Sequence, residues 1–328
     1  MTPASCPVGD FNKFVSQWRL FWQNVVPCVL SPTRDGIMHA VPDNGICWYT
    51  RRSRNELAIA EEAPRMLIGI YAPNTPTLIG NLGVTHQSTE EALKQIGQNI
   101  LSSVRSIDAV VTISPHFMTR GGFGIVSQTP LRQIYDFSGF PQEFYQVTYQ
   151  APGARDIAEE LARLCVQEHL PAAITTEWGL DHGAWSPLLH LFPQADVPIV
   201  PVSIAPELGE AAHEHLGRIL RRLSEQRTLV LIATGSLIHR LDLWAQPTNA
   251  LPKAAQQYLA RARMSFAQGT WDALWNAPEP WKQAAAPEGG ELPLRVMAGA
   301  FPQFRAEIVA EEDEFDAVSL TTVRFVDV

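Results

Sequence analysis

From residue 66 onward the chain alternates short apolar runs with amphipathic stretches of helical period. Runs such as Met66-Leu-Ile-Gly-Ile-Tyr-Ala72 and Leu229-Val-Leu-Ile-Ala-Thr234 carry almost no polar residue, the pattern of strands buried on both faces. They predict strands over 66–72, 108–113, 198–204 and 228–233. Between them, apolar residues return every three or four positions over 88–105, 154–169, 207–226 and 252–275, predicting helices, with a short helix near 186–192. Ser88-x-x-Glu91 reads as a capping box opening the first. Ile157, Leu161, Leu164 and Cys165 mark the buried stripe of the second. Gly121, Gly122 and Gly124 mark a turn, 131–152 is aromatic and irregular, and 284–290 reads as a loop. Strands alternating with helices predict one α/β domain whose central, mostly parallel sheet is flanked by helices.

Residues 1–65 break this pattern. They show no sustained period and hold three of the four cysteines (Cys6, Cys28 and Cys47), scattered prolines and a basic cluster at Arg51, Arg52 and Arg54. Two readings stand side by side: an N-terminal extension, or a gene-model artefact with Met66 as the natural start. The domain of interest is then 66–328.

Composition narrows the function classes. A content of 46% hydrophobic and 18% charged residues over 328 positions is that of a globular protein. A formal charge of -9 disfavours nucleic acid as a partner, since phosphate binding needs a basic surface. The cysteines include no CxxC spacing, which favours a reducing, cytoplasmic setting over a disulfide framework. No apolar run reaches the roughly 18 residues of a membrane span, and no basic-then-apolar leader is evident.

Three histidines stand where α/β folds gather their chemistry, past the carboxyl ends of strands or in glycine-bounded turns. They are His116 in Ser114-Pro-His116, His182 in Trp178-Gly-Leu-Asp-His-Gly183, and His239 in Gly235-Ser-Leu-Ile-His239. Each is either a metal ligand or acid/base group, or a histidine satisfying a buried polar contact. Asp181 is a weak candidate for orienting its neighbour His182. His169, His190, His213 and His215 lie on helical patterns and read as surface or packing residues. Glu291 opens an apolar stretch; it is either a first-turn carboxylate or, with two histidines, the acid of a 2-His-1-carboxylate triad. No Walker loop, dinucleotide fingerprint, H-E-x-x-H or nucleophile elbow is present.

Longer motifs add a resemblance. Ile134-Tyr-Asp-Phe-Ser-Gly-Phe-Pro-Gln-Glu-Phe-Tyr145, continuing through Tyr149 to Ala151-Pro-Gly153, resembles the class III extradiol ring-cleavage dioxygenases, in their 4,5-DOPA dioxygenase branch. Ser114-Pro-His116, Trp178-Gly-Leu-Asp-His-Gly-Ala-Trp185 and Gly235-Ser-Leu-Ile-His239 follow the family's order and spacing across about 66–304. The resemblance implies one non-haem metal in a cleft at the carboxyl ends of the strands, Fe(II) for catalysis, with zinc found in relatives. It makes His116 a metal ligand, His239 the acid/base histidine and His182 a second pocket histidine. The third ligand falls near the start of the last apolar stretch, with Glu291 as candidate, although an ungapped match puts Gly290 there. Relatives carry histidine where this chain has Asn74, in Ala72-Pro-Asn-Thr-Pro76.

The expected activity is extradiol cleavage of a catechol-type aromatic by O₂, with Arg120 as a weaker candidate for a substrate carboxylate. The alternative is a non-catalytic paralogue or partner subunit with a degenerate metal site. A zinc-dependent hydrolytic member is a third reading, resting on ligand types alone. Self-association into a homo-oligomer is left open.

Overall fold

A computed structural model describes residues 66–80, 82–83, 85–243 and 250–328; the proposed 1–65 segment lies outside them. In chain order the described elements begin with β1 (Leu67–Ala72), α1 (Gln87–Ser103), β2 (Ala109–Met118) and β3 (Phe123–Val126). They continue with α2 (Arg155–Gln167), β4 (Ala172–Thr175), α3 (His182–Leu191), β5 (Ile199–Ile204), α4 (Gly209–Ser224) and β6 (Leu229–Thr234). The C-terminal part adds α5 (Lys253–Gln268), α6 (Asp272–Trp275), α7 (Glu279–Ala285), α8 (Leu292–Ala300), β7 (Phe304–Glu314) and β8 (Val318–Asp327).

The eight strands form one mixed sheet in the order β4-β3-β5-β2-β6-β1-β8-β7. The centre is parallel: β6 pairs with both β1 and β2, and β2 pairs with β5. The predicted α/β domain with a mostly parallel sheet is thus observed, extended by antiparallel pairings at β1–β8, β7–β8 and β3–β5. Side-chain alternation divides the core into two layers. Leu229, Leu231 and Ala233 of β6 face one cluster with Ile157, Leu161, Leu216 and Tyr258 of α2, α4 and α5. Val230 and Ile232 face the other with Leu93, Ile96, Trp185 and Leu188 of α1 and α3. Both faces are covered, which is why the central strands read as continuous apolar runs. Helices α1 and α3 approach so closely that a Cβ at Gly97 would lie 1.8 Å from the Leu191 carbonyl oxygen.

Several local expectations change. His86, not Ser88, precedes α1 at the N-cap, without a side-chain cap bond. The Ser88 and Thr89 amides donate instead to Glu312 of β7, at 3.3 and 2.9 Å, so a tertiary carboxylate replaces the capping box. The helix expected over 252–275 ends at Gly269, whose φ of 69° provides a left-handed cap. The stretch read as a 284–290 loop holds the end of α7 and a 3-10 turn, Glu288–Glu291. Strands β3, β4, β7 and β8 were absent from the sequence reading. β4 is short, with a burial pattern that does not alternate, and the β7 and β8 faces carry charge. No described helix is long and apolar enough to cross a membrane.

Candidate functional site

The parallel strands β1 and β2 flank β6; β1 and β6 lead into Asn74 and Gly235, whereas His116 lies inside β2, which runs on to Met118 instead of ending at the expected residue 113. Pro115 lacks an amide hydrogen and sits where β2 loses register with β5, between Ile113 and Met118. His116 lies within this irregularity. Its backbone N–H donates to Ser114 Oγ at 3.2 Å, and that hydroxyl in turn donates to Asp181 Oδ1 at 2.7 Å. Asp181 also accepts from the Ala184 amide at the start of α3 and from Trp178 Nε1. It therefore buttresses β2 and caps α3; the orienting contact to His182 comes from elsewhere.

Asp136, in the irregular aromatic segment, provides that contact. Its Oδ1 accepts from the His182 backbone N–H and lies 2.8 Å from His182 Nδ1, while Oδ2 lies 3.2 Å from His116 Nδ1. The two imidazoles meet edge to face, with centroids 4.2 Å apart. Gly183 makes the approach possible, since a Cβ there would lie 2.7 Å from His116 Cδ2. His116, Asp136 and His182 each offer a potential ligand atom, all within 4.8 Å of one another.

On the other side of His116, Nε2 lies 3.1 Å from Glu288 Oε1, which also accepts from Asn74 Nδ2 at 3.0 Å. Glu288 Oε2 is buried and has no hydrogen-bond partner. Beside it, Gly235 (φ 143°) leaves space: a Cβ there would stand 3.6 Å from Oε2 and 3.4 Å from the Tyr71 hydroxyl. Burial opposes ionisation of Glu288, but His116, His239 and Asn74 outweigh it and hold the carboxyl at about 2. Burial likewise opposes a charged His116, yet its two flanking carboxylates raise its pKa well above 6.5. Asp136, disfavoured as an anion by burial, is still pulled far below the usual carboxylate range by His116 and His182. Burial first, then Glu288 and Glu291, pushes the Tyr71 phenol well above 10.0.

Glu291 has other partners. Tyr258 donates to its Oε1 at 2.6 Å and Lys282 Nζ lies 3.2 Å from its Oε2. The divergence is a backbone effect: Gly289, Gly290 and Glu291 have φ of 63°, 63° and 67°, a left-handed run that turns the chain between the two carboxylates. His239 is half-buried beyond β6, its amide donating to the Ala285 carbonyl, and it is among the groups that favour the Glu288 carboxylate. Arg120 is exposed and faces Glu207 at 3.6 Å.

A family model described as "Catalytic LigB subunit of aromatic ring-opening dioxygenase" matches residues 75–326. The chain belongs to the LigB family. Among relatives, a 4,5-DOPA dioxygenase extradiol of Escherichia coli K12 is 38% identical over 134 residues, covering 40% of this chain and 48% of that protein. One of Mirabilis jalapa is 36% identical over 171 residues, covering 51% and 63%. The matched part thus spans under two thirds of either relative. The crystal structure of the uncharacterized protein JW3007 from Escherichia coli K12 superposes with a TM-score of 0.62 at 22% identity, over 80% of this chain and all of that one. This likeness concerns the fold. The recognised class III extradiol resemblance, closest to the DOPA branch, agrees with the family match and the named relatives.

Within this LigB-family chain, the structure brings Asn74, His116 and His182 into one connected polar group through Glu288 and Asp136. Sequence reasoning missed both carboxylates. Asp136 is one polar residue inside a long aromatic motif, and Glu288 lies in a segment whose composition reads as loop. Three other described histidines have ordinary duties. His213 is fully buried, donating Nδ1–H to the Gly209 carbonyl and accepting the Ala205 amide at Nε2, and burial lowers its pKa. His190 donates to the Leu78 carbonyl and His215 pairs with Glu168.

Proposed function

We propose that this chain is a metal-dependent extradiol dioxygenase that opens a catecholic ring with O₂, both oxygen atoms entering the ring-opened product. The observation carrying this reading is the buried Glu288 oxygen left without a partner beside His116 Nε2, at the carboxyl ends of the central strands, in a LigB-family chain. An imidazole nitrogen, a carboxylate and a carboxamide are a donor set suited to a divalent first-row ion, Fe(II) in this reading. His116 and Glu288 would hold the metal, with Asn74 contributing its amide oxygen after rotation or continuing to steady Glu288. Glu288 takes the acidic role in place of Glu291, whose oxygens are engaged by Tyr258 and Lys282.

When bound, the metal supplies a template and charge stabilisation for the diol and oxygen. The chain's own residues handle protons and position. His239 is the candidate base for the first catechol hydroxyl, which it must reach within hydrogen-bonding distance. His182, with Nδ1 tied to Asp136, has Nε2 available to return a proton during ring opening. Phe137, packed edge to face on His182 at 5.3 Å, offers an apolar wall for an aromatic substrate.

A second reading follows from Asn74, whose amide donates to Glu288 where the family resemblance implies an imidazole: a binding subunit without catalysis. Anaerobic Fe(II) reconstitution, metal quantification and O₂ uptake with a panel of catechols separate the two. Bound iron with catechol-dependent uptake is expected. Neither iron nor uptake with any catechol would leave the non-catalytic reading.

A further inference from the structure

We propose that Asp136 is a shared positioning residue that dictates where both site imidazoles carry their protons, so that the site requires its carboxylate and not merely its shape. It builds on the proposed metal site only for its affinity arm. A carboxylate accepts hydrogen bonds and donates none. Asp136 meets His182 Nδ1 at 2.8 Å and His116 Nδ1 at 3.2 Å, so each ring must present N–H on that nitrogen. The proton-exchanging and metal-facing duties then fall on Nε2 of both rings. At His116 that nitrogen faces the second carboxylate, Glu288, so without metal the ring carries N–H on both nitrogens and Nε2–H is the one a metal would displace. Asp136 belongs to neither histidine's own element, and its side chain is only 14% exposed, so one inserted carboxylate sets two rings at once.

The geometry makes an unusual distinction between two substitutions. In Asp136→Asn the one carbonyl oxygen is claimed by the His182 backbone N–H, an obligate donor that Oδ1 already accepts at 2.8 Å. The new NH₂ then faces His116 Nδ1, which must become an acceptor. His116 keeps its proton on Nε2, the nitrogen needed for metal. Asp136→Ala imposes no such wrong placement, because water serves either nitrogen.

The test uses the full chain at one fixed pH. Side-chain ¹⁵N NMR of the metal-free protein reads proton placement, and calorimetry with Zn(II) reads affinity. Expected are Nδ1–H on both rings in the wild type and loss of Nδ1–H from His116 in Asp136→Asn. Zn(II) affinity should fall in the order wild type, Asp136→Ala, Asp136→Asn, the last by about 10–100-fold, as for other partners that orient a ligating histidine. A purely structural Asp136 reverses the two variants, with Asn near wild type and Ala worst, and that order overturns the proposal. So does Nδ1–H persisting on His116 in Asp136→Asn, a result available even where the alanine variant fails to fold. Absence of Zn(II) binding by the wild type would count against the metal site alone, leaving the NMR arm to decide Asp136.

Discussion

Two imidazole–carboxylate pairs lie on either side of one short loop, and they differ in what remains unmet. His86 and Glu314 sit 2.9 Å apart with side chains 2% and 3% exposed. Thr75, Thr77 and His86 all contact the same Glu314 oxygen, closing a sealed network between the Asn74 loop and the end of β7. His116 and Glu288 sit at nearly the same distance, 3.1 Å, but His116 is 29% exposed and Glu288 keeps one oxygen without a partner. The first pair is satisfied and closed, as buried polar groups are when they serve the fold. The second couples burial to an unsatisfied acceptor and an opening, which is how a site prepared for a ligand differs from a staple. Asn74 belongs to one network and Thr75 to the other, so the staple anchors the loop that meets the site.

Substitutions test this contrast. The largest effect is expected for His116→Ala: metal affinity and O₂ uptake should fall by more than the roughly 100-fold seen when an outer partner is lost. Calorimetry and an oxygen electrode measure this, and melting temperature should change much less. Glu314→Ala should do the reverse, costing about 3–5 kcal/mol of stability through breaking a buried pair. Chemical denaturation reads that loss; unchanged stability would remove the distinction between the pairs.

Gly183→Ala probes the approach of His116 and α3. The added methyl would lie 2.4 Å from Ser114 Oγ and 2.7 Å from His116 Cδ2, so His116 should shift. A roughly tenfold loss of metal affinity is expected, less than for His116→Ala. Asn74→His removes the amide donated to Glu288 and provides an imidazole at the loop; a gain in Fe(II) affinity, measured anaerobically, would sharpen the role of the open pair.

The smallest effect is one of pH. Burial works against ionised Glu314, but His86, Thr77 and Thr75 prevail and hold its carboxyl below the usual 4.5. A depressed native pKa means that the unfolded state binds the proton more readily. Its stabilising contribution is therefore present above 4.5 and lost as pH falls through the lower native value. Thermal melts across that acidic range should show a component that disappears in Glu314→Gln.

Much of the scaffold was legible because β1, β2, β5 and β6 are buried on both faces and α1, α2 and α4 carry an apolar stripe, so burial imprinted their periods. The β7–β8 hairpin left no such imprint: Glu311, Glu312 and Asp313 interrupt it, and its role as a partner for β1 depends on distant residues. At the site, His116, His182 and Asn74 were visible at strand ends or in motifs. Glu288 was hidden by proximity, three residues from a second glutamate of identical chemistry.

The α/β alternation, the family and the candidate histidines were readable from the chain alone, because these follow from local period and motif. Which carboxylate meets which imidazole is settled by folding. Three successive left-handed residues send Glu288 toward His116 and Glu291 toward Tyr258 and Lys282. Asp136 reaches His182 across 46 residues of chain. Such pairings arise where backbone turns and long-range packing converge, and a short window of residue types does not encode them.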